Sequence, residues 1–178
     1  MTLIYDSEQI QAMIGGIKVM IRHATIEDLE KIAELEAACF PKEEAATKEA
    51  FIDRLQVYPN HFWLLEIDGH LVSMVNGMVT NSRILQDEMY AKSQLHDASG
   101  DWQMIFGVET KPEFQGKGYA SKLLRQVISD AKQDGRKGVV LTCKKEKIGF
   151  YERLGFVSEG VSESEHGGVE WYLMRVEF

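Results

Sequence analysis

The segment from residue 104 to residue 121 most restricts how this chain can fold, because it joins an apolar run, a glycine-rich turn and an amphipathic run. The apolar run covers 104–108, Gly116 and Gly118 lie in the turn, and the amphipathic run opens at Ser121. This order predicts a strand, a turn and a helix. The first N–H groups of a helix have no partner inside it, and the helix dipole adds partial positive charge there. Because glycine has no Cβ to block an approaching anion, the turn suits a phosphate or a pyrophosphate.

Two common phosphate-binding patterns do not match this turn. A P-loop needs Gly-Lys-Ser/Thr after a glycine and four spacer residues, and the chain has no such run here. The dinucleotide fingerprint needs Gly or Ala at position 121, which is Ser121. An ordinary strand-to-helix turn that binds nothing has the same glycines, so the turn alone leaves both interpretations open.

A second segment makes the pattern more specific. Leu141-Thr142-Cys143 has the composition of a buried strand, and it is followed by Gly149-Phe150-Tyr151-Glu152-Arg153-Leu154-Gly155-Phe156. Together with Gln-x-x-Gly-x-Ala at 115–120, these residues resemble the GNAT superfamily of N-acetyltransferases. In that family the acyl-CoA pyrophosphate loop reads Arg/Gln-x-x-Gly-x-Gly/Ala. A short helix with a tyrosine follows later, and it ends in a Tyr-Glu-x-x-Gly-Phe motif that residues 151–156 resemble.

Within the superfamily the chain is most similar to the arylalkylamine (serotonin-type) N-acetyltransferases. Further residues that carry this resemblance are Cys39-Phe40-Pro41, Phe62-Trp63-Leu64 and Gly69-His70-Leu71-Val72. The resemblance covers about residues 20–178. It implies a mixed α/β (α+β) fold, the GNAT acyl-CoA N-acyltransferase fold, as a single domain with a mixed sheet flanked by helices.

The resemblance also implies acetyl-CoA as cosubstrate, no metal, and direct attack of an amine on the thioester. The pantetheine arm would pair with the central strand as an added strand does, and an N–H of that strand would polarise the thioester carbonyl. The residues that it assigns to acetyl-CoA are Phe106, Gly107, Val108, Gln115, Gly116, Lys117, Gly118, Tyr119, Ala120 and Ser121.

Proton transfer needs an acid for the departing thiolate and a base for the amine. Tyr151 is the candidate acid, since a phenol keeps its proton at neutral pH. The alternative is that Tyr151 is a buried core residue without a catalytic role. The arylalkylamine enzymes draw the amine proton through two histidines on the central strand, and those places hold Trp102 and Met104 here. The possible replacements are Glu109, Glu66, His61 and a chain of water molecules that leads to solvent.

Several aromatic and apolar residues are candidates for the wall of an amine pocket, or for ordinary core packing: Phe40, Phe62, Trp63, Trp102 and Met104. A small primary amine, of the arylalkylamine type, is the acceptor that the resemblance favours. A protein N-terminus or a lysine is the second possibility. A domain that holds acyl-CoA without turnover is the third. The chain lacks a convincing Cys–His pair, which disfavours a covalent acetyl-enzyme.

Composition limits the partners. The net charge is −8, which disfavours nucleic acid and mildly favours a cationic substrate. No apolar run approaches the roughly 20 residues of a membrane helix, and no signal peptide is recognisable, so we expect a cytoplasmic protein without membrane contact. Cys39 and Cys143 are expected in the core and unpaired. The five histidines are scattered, which predicts no metal site. A monomer and a homodimer both remain possible.

We expect the N-acetyltransferase domain to cover residues 20–178, preceded by an N-terminal extension at 1–19 that is a short helix or disordered. The patterns predict helices over 25–39, 47–57, 121–133 and 148–154, and a partly helical, exposed insertion at 81–101. Strands are predicted over 20–25, 61–67, 70–80, 102–109, 138–144, 156–160 and 169–178.

Short patterns predict several local features. Thr25 with Asp28 indicates a capping box, and Asp68-Gly69 indicates a hairpin turn. We expect Gly15-Gly16 to end a helical segment of the extension, and Gly77 to mark a bulge or the close approach of a ligand. The residues expected to form the buried stripe of the helix after the glycine turn are Leu123, Leu124, Val127, Ile128 and Ala131.

Overall fold

The computed structural model describes residues 3–6 and 9–178, with side chains from residue 15 onward. Its contacts divide the chain into two compact units, each with its own sheet. The first unit extends to Asn76 and resumes over Gly107–Leu123. The second comprises Gly77–Phe106 and Leu124–Phe178.

The described strands are β1 (Leu3–Asp6), β2 (Gln9–Ile14), β3 (Ile17–His23), β4 (Phe62–Ile67), β5 (His70–Asn76), β6 (Val79–Thr80), β7 (Trp102–Ile105), β8 (Gly107–Thr110), β9 (Gly138–Cys143), β10 (Val157–Val161) and β11 (Tyr172–Glu177). The α-helices are α1 (Leu29–Cys39), α2 (Lys48–Val57), α3 (Glu88–Ala91), α4 (Tyr119–Gln133) and α5 (Ile148–Glu152). Short 3-10 turns join several of these elements.

The first unit has an antiparallel sheet in the order β1-β2-β3-β4-β5-β8. Thr25 and Asp28 form the predicted capping box before α1, and the Thr47 hydroxyl accepts the N–H of Ala50 at the start of α2. Asp68 and Gly69, both at positive φ, make the tight turn between β4 and β5. Helices α1 and α2 contact each other, and α1 also contacts β5 and β8.

The second unit has a mixed sheet in the order β10-β11-β9-β7-β6, in which only β7 and β9 run parallel. Four residues of the stripe predicted for α4 are at most 2% exposed, namely Leu123, Leu124, Val127 and Ala131, whereas the fifth, Ile128, is half-buried. Gly135 ends this helix at positive φ, and Arg136 donates back to the carbonyl of Ala131.

The strand predicted over 102–109 is interrupted, because the chain leaves the second sheet after Ile105 and enters the first at Gly107. The predicted mixed α/β fold flanked by helices is confirmed, and its strands form two sheets, because β7 pairs with β9 whereas β8 pairs with β5. The strand predicted over 70–80 also breaks, at Gly77, where a Cβ would overlap with the carbonyl group of Met104. The close approach that Gly77 permits is thus by another strand of the same unit.

The extension was predicted to be a short helix or disordered, and its described part instead forms strands β1 and β2. Gly15 and Gly16, both at positive φ, make a two-residue hairpin turn between β2 and β3. The strand expected from Met20 begins at Ile17. Residues 1, 2, 7 and 8 of the extension lie outside the described residues, and the domain boundary at residue 20 stays a prediction.

Candidate functional site

The glycine turn has the geometry of a strand-to-helix loop with open backbone. Gly116 and Gly118 have φ values of 77° and 84°, and no atom lies within 4 Å of the place of a Cβ at either one. The first i to i−4 bond of α4 runs from the Lys122 N–H to the Gly118 carbonyl, at 3.0 Å. The N–H groups of Tyr119, Ala120 and Ser121 precede that bond, so they have no acceptor within the helix.

The residues on either side of the glycines fix the turn. Gln115 donates from Nε2 to the Thr110 carbonyl at 3.1 Å, which ties the loop back to the end of β8. The Lys117 ammonium lies 5.5 Å from the centre of the Phe114 ring, a cation–π contact. All the predicted loop residues from Gln115 to Ser121 belong to the first unit.

Phe106, Gly107 and Val108 lie where the chain changes sheets. Gly107 and Val108 pair with Asn76 and Val75 of β5 in the first unit. Phe106 belongs to neither strand and is assigned to the second unit.

Tyr151 also belongs to the second unit and is 8% exposed. Its ring makes edge-to-face contacts with Phe150 and Phe156, at 5.0 and 5.7 Å between centroids. Burial, and to a lesser degree Cys143, raises the pKa of the phenol above its ordinary value. Tyr151 therefore keeps its proton throughout the neutral range.

The three candidate bases differ in their surroundings. Glu66 is buried and bound by Arg22, whose Nη2 lies 2.7 Å from its carboxylate and which also binds Asp28 through two hydrogen bonds. His61 is 4% exposed, and its ring contacts that of Trp63 at 5.8 Å. Glu66 is thus part of an ion cluster that joins β3 and β4 to the start of α1.

Glu109 differs from Glu66 because no N–H or hydroxyl group of the described residues donates to either of its carboxyl oxygens. Glu109 lies on β8 and is 3% exposed, and it lies beside Glu36 of α1, which is 6% exposed. Burial in the first place, and the Glu36 charge in the second, raise the pKa of Glu109 well above its ordinary value. The structure therefore separates Glu109 from the other two candidates.

Most residues proposed for the amine pocket wall are core. Phe62 and Met104 have no exposed surface, and Trp63 and Trp102 are each 3% exposed. Trp102 makes cation–π contacts with the guanidinium groups of Arg83 and Arg175, at 5.1 and 4.7 Å from its ring. Phe40 alone of the five is half-buried rather than buried.

A family model described as Acetyltransferase (GNAT) family matches residues 29–156, which is more than two thirds of the chain. The chain belongs to the GNAT family of acetyltransferases. A comparison with curated protein sequences found no match. The arylalkylamine subgroup thus has no support beyond the resemblance of the residues themselves.

Solved structures with the same fold come from several sources. The loading GNATL domain of CurA from Lyngbya majuscula is 18% identical with a TM-score of 0.77, over 89% of this chain and 97% of that one. The ribosomal-protein-S18-alanine N-acetyltransferase from Escherichia coli is 16% identical with a TM-score of 0.69, over 89% and 93%. The PaiA N-acetyltransferase from Thermoplasma acidophilum, in complex with coenzyme A, is 18% identical with a TM-score of 0.67, over 90% and 99%. These likenesses confirm the GNAT fold.

The second unit of this acetyltransferase contains an aromatic cluster that sequence reasoning missed. Tyr90 of α3 stacks on His166, with centroids 4.9 Å apart and planes at 5°, and its ring is 4.7 Å from Phe106. His166 also contacts Trp171, at 6.1 Å. All four are half-buried. They lie far apart in sequence, so no local pattern pointed to them.

The described part of this acetyltransferase has neither a metal-binding cluster nor a membrane-spanning helix. No group of three or more His, Cys, Asp or Glu side chains is arranged to hold a metal ion. No helix there is long and apolar enough to span a membrane.

Proposed function

We propose that this GNAT protein transfers the acetyl group of acetyl-CoA to the primary amine of a small molecule, with arylalkylamines as the preferred acceptors. The observation that carries the proposal is the glycine turn before α4, where the space beside Gly116 and Gly118 is open. Three N–H groups at the helix start offer hydrogen bonds to a pyrophosphate, and the dipole of the 15-residue helix adds positive charge.

In this proposal Gln115 to Ser121 hold the pyrophosphate, and Phe106, Gly107 and Val108 receive the pantetheine arm. The coenzyme A complex of the Thermoplasma acidophilum relative supports a CoA thioester as cosubstrate. The positive φ of Gly116 and Gly118 supports the loop assignment, because no other residue type takes that conformation so readily.

The reaction forms one C–N bond and breaks one C–S bond. The neutral amine attacks the thioester carbonyl carbon, and an N–H of the 106–108 segment stabilises the developing oxyanion. When the C–S bond breaks, Tyr151 donates its phenolic proton to the thiolate and later regains a proton from solvent. The buried position of Tyr151 supports this role, since the raised pKa keeps the proton on the phenol until it is needed.

A small aromatic amine is supported by two features. The net charge of −8 attracts cations. The half-buried rings of Phe106, Tyr90, His166 and Trp171 offer aromatic surface for an arylalkyl group, next to the segment proposed for the thioester. The two free thiols, Cys39 and Cys143, favour a reducing compartment, and we propose a cytoplasmic location.

An acceptor panel tests the proposal. Tryptamine, phenylethylamine, a polyamine, an aminoglycoside and short peptides with free N-termini or lysines are each incubated with acetyl-CoA, and thiol release is followed. We expect the aromatic ethylamines to give the highest kcat/KM. A preference for peptides over every small amine would instead identify a protein acetyltransferase, and acetyl-CoA binding without any thiol release would identify a binding module.

A further inference from the structure

The pair formed by Glu36 on α1 and Glu109 on β8 is the least satisfied group of charges in the described part of the first unit. Their exposed fractions are 6% and 3%. Glu36 Oε1 accepts the Ala46 N–H at 3.0 Å. No N–H or hydroxyl group of the described residues donates to Glu36 Oε2 or to either oxygen of Glu109. Burying a carboxylate without such donors is costly, so an arrangement of this kind suggests a ligand that supplies them.

The unsatisfied oxygens converge on Gly107. Glu109 Oε1 lies 3.4 Å and Glu36 Oε2 lies 4.0 Å from the place that a Cβ of Gly107 would occupy. Asn76 Nδ2 is 3.3 Å from the same place, and the Asn76 Oδ1 accepts from Arg54 Nη1 at 3.1 Å. Gly107 is the middle residue of the segment to which we assign the thioester, so the two carboxyl groups lie beside the proposed reaction centre.

Two carboxyl groups that are buried side by side share one proton more readily than they both ionise. Burial, Glu36 and Cys39 of α1 raise the pKa of Glu109, whereas Arg54 of α2 lowers it. These are the charged and titratable groups that face Glu109 from the two helices, while β5 contributes the Ser73 hydroxyl, which donates to the backbone carbonyl of Glu109 at 2.7 Å.

We propose that the Glu36–Glu109 carboxyl pair binds the ammonium group of the acceptor and then removes one of its protons. The inference rests on the proposed function, because it assigns the base for that reaction. An ammonium has three N–H donors, which match the three carboxyl oxygens that lack one. Trp102 and Met104, which hold the places of the relay histidines of the arylalkylamine enzymes, offer no proton acceptor, so the base has to come from other residues.

The amine nitrogen loses two protons during the reaction, one to the carboxyl pair and one to solvent. The incoming ammonium replaces the shared proton, which leaves to solvent, and the pair becomes doubly ionised. One ammonium proton then moves to a carboxylate, which restores the shared proton and leaves the neutral amine. After the C–N bond forms, the nitrogen loses its second proton to solvent, while Tyr151 protonates the thiolate and is itself reprotonated.

The connection between α1 and α2, residues 40–47, contacts the carboxyl pair. The bond from the Ala46 N–H to Glu36 ties this connection to the pair. Phe40, with its half-buried ring, begins the same connection.

The test compares Glu109→Gln, Glu36→Gln and Glu109→Asp with wild type, and uses Glu66→Gln as the matched control for loss of a buried carboxylate in the same unit. The acceptor is the best amine of the panel, and kcat/KM is measured from pH 6 to pH 10 together with acetyl-CoA affinity. Folding of each variant is checked by circular dichroism.

We expect Glu109→Gln to lower kcat/KM by roughly 10²–10⁴, with acetyl-CoA affinity retained and partial recovery in Glu109→Asp. Glu36→Gln removes the like charge that raises the Glu109 pKa. The rising part (limb) of its profile of kcat/KM against pH should therefore move to lower pH. The profile of Glu66→Gln should keep the wild-type limb, because that carboxylate is bound by Arg22.

A folded Glu109→Gln enzyme within threefold of wild type would overturn the inference and leave the proposed function intact. If Glu109→Gln does not fold, the pH profile of Glu36→Gln decides. A rising part of that profile at the wild-type pH would overturn the inference, and a rising part at lower pH would support it. A wild-type protein that acetylates no amine contradicts the proposed function itself, and the assignment of the base falls with it.

Discussion

The carboxyl groups of Glu109 and Glu36 lie side by side in the interior of the first unit, with Glu109 Oε1 3.4 Å and Glu36 Oε2 4.0 Å from the place that a Cβ of Gly107 would occupy. The contact has a consequence for stability that is independent of catalysis. Below pH 4.5, the ordinary pKa of a glutamate, Glu109 is protonated in both the folded and the unfolded chain. Above it, the unfolded chain ionises while the fold keeps the proton, so the fold loses stability as pH rises towards the raised pKa.

Glu109→Gln should remove this dependence, because glutamine keeps the shape of a protonated carboxyl and does not titrate. Relative to the variant, the wild-type free energy of unfolding should fall by about 1.4 kcal/mol per pH unit between pH 5 and the folded pKa. Denaturant unfolding at pH 5, 6 and 7 measures the difference. If the free energies of unfolding of the wild type and the variant change with pH in parallel, Glu109 is ionised in the folded protein.

The glycine turn should determine cosubstrate affinity. Gly118→Glu puts a side chain and a negative charge where we place the pyrophosphate, so acetyl-CoA affinity should fall more than tenfold, at least about 1.4 kcal/mol. Gly135→Glu is the matched control, since Gly135 also has positive φ and no atom within 4 Å of its Cβ position. Calorimetric titration of both variants with acetyl-CoA measures the two affinities. Equal losses of affinity would contradict the assignment of the glycine turn as the pyrophosphate site.

Tyr151→Phe keeps the ring contacts with Phe150 and Phe156 and removes only the phenolic proton. If Tyr151 protonates the thiolate, kcat should fall by roughly 10²–10⁴ while acetyl-CoA affinity stays the same. Tyr172→Phe, which loses a surface hydrogen bond to Glu170, is the control. Near wild-type single-turnover rates in Tyr151→Phe would return Tyr151 to a role in packing.

Gly77→Ala should destabilise the second unit strongly. The added Cβ would overlap with the Met104 carbonyl group and lie 2.8 Å from the Cα of Ile105. Backbone atoms cannot yield as a side-chain end does, so we expect a loss of about 3 kcal/mol or more. Gly149→Ala in α5 has no neighbour within 4 Å and should be neutral or gain up to about 1 kcal/mol. Thermal unfolding compares the two, and similar melting temperatures would contradict the packing described here.

Local patterns gave most elements of the fold. The Thr25–Asp28 capping box and the Asp68-Gly69 turn depend on neighbours in sequence, and both were predicted. The break at Phe106 was not, because 102–110 is continuously strand-like and only its pairing with β9 and then β5 divides it. The strands before Ile17 were missed since Gly15-Gly16 was interpreted as the end of a helix rather than as a hairpin turn.

The candidate site was only partly accessible from sequence. The glycine turn and Tyr151 lie in short contiguous motifs, so their pattern is visible. The Glu36–Glu109 pair joins residues 73 positions apart. One sequence feature did point to the pair. Glu36 is four positions after Ile32, on the buried face of α1. In the same way, Arg54 lies with Phe51 and Leu55 on the buried face of α2. Charged residues on the apolar face of a helix were the clue to a buried polar group.

The most direct test of the proposed function follows both products of one reaction. Purified protein is mixed with acetyl-CoA and tryptamine, and free CoA thiol and N-acetyltryptamine are quantified in the same samples by thiol titration and mass spectrometry. We predict amine-dependent thiol release with one N-acetyltryptamine for each CoA. Thiol release that is equal with and without every amine of the panel, or acetyl-CoA binding with no turnover, would contradict acetyl transfer to a small amine.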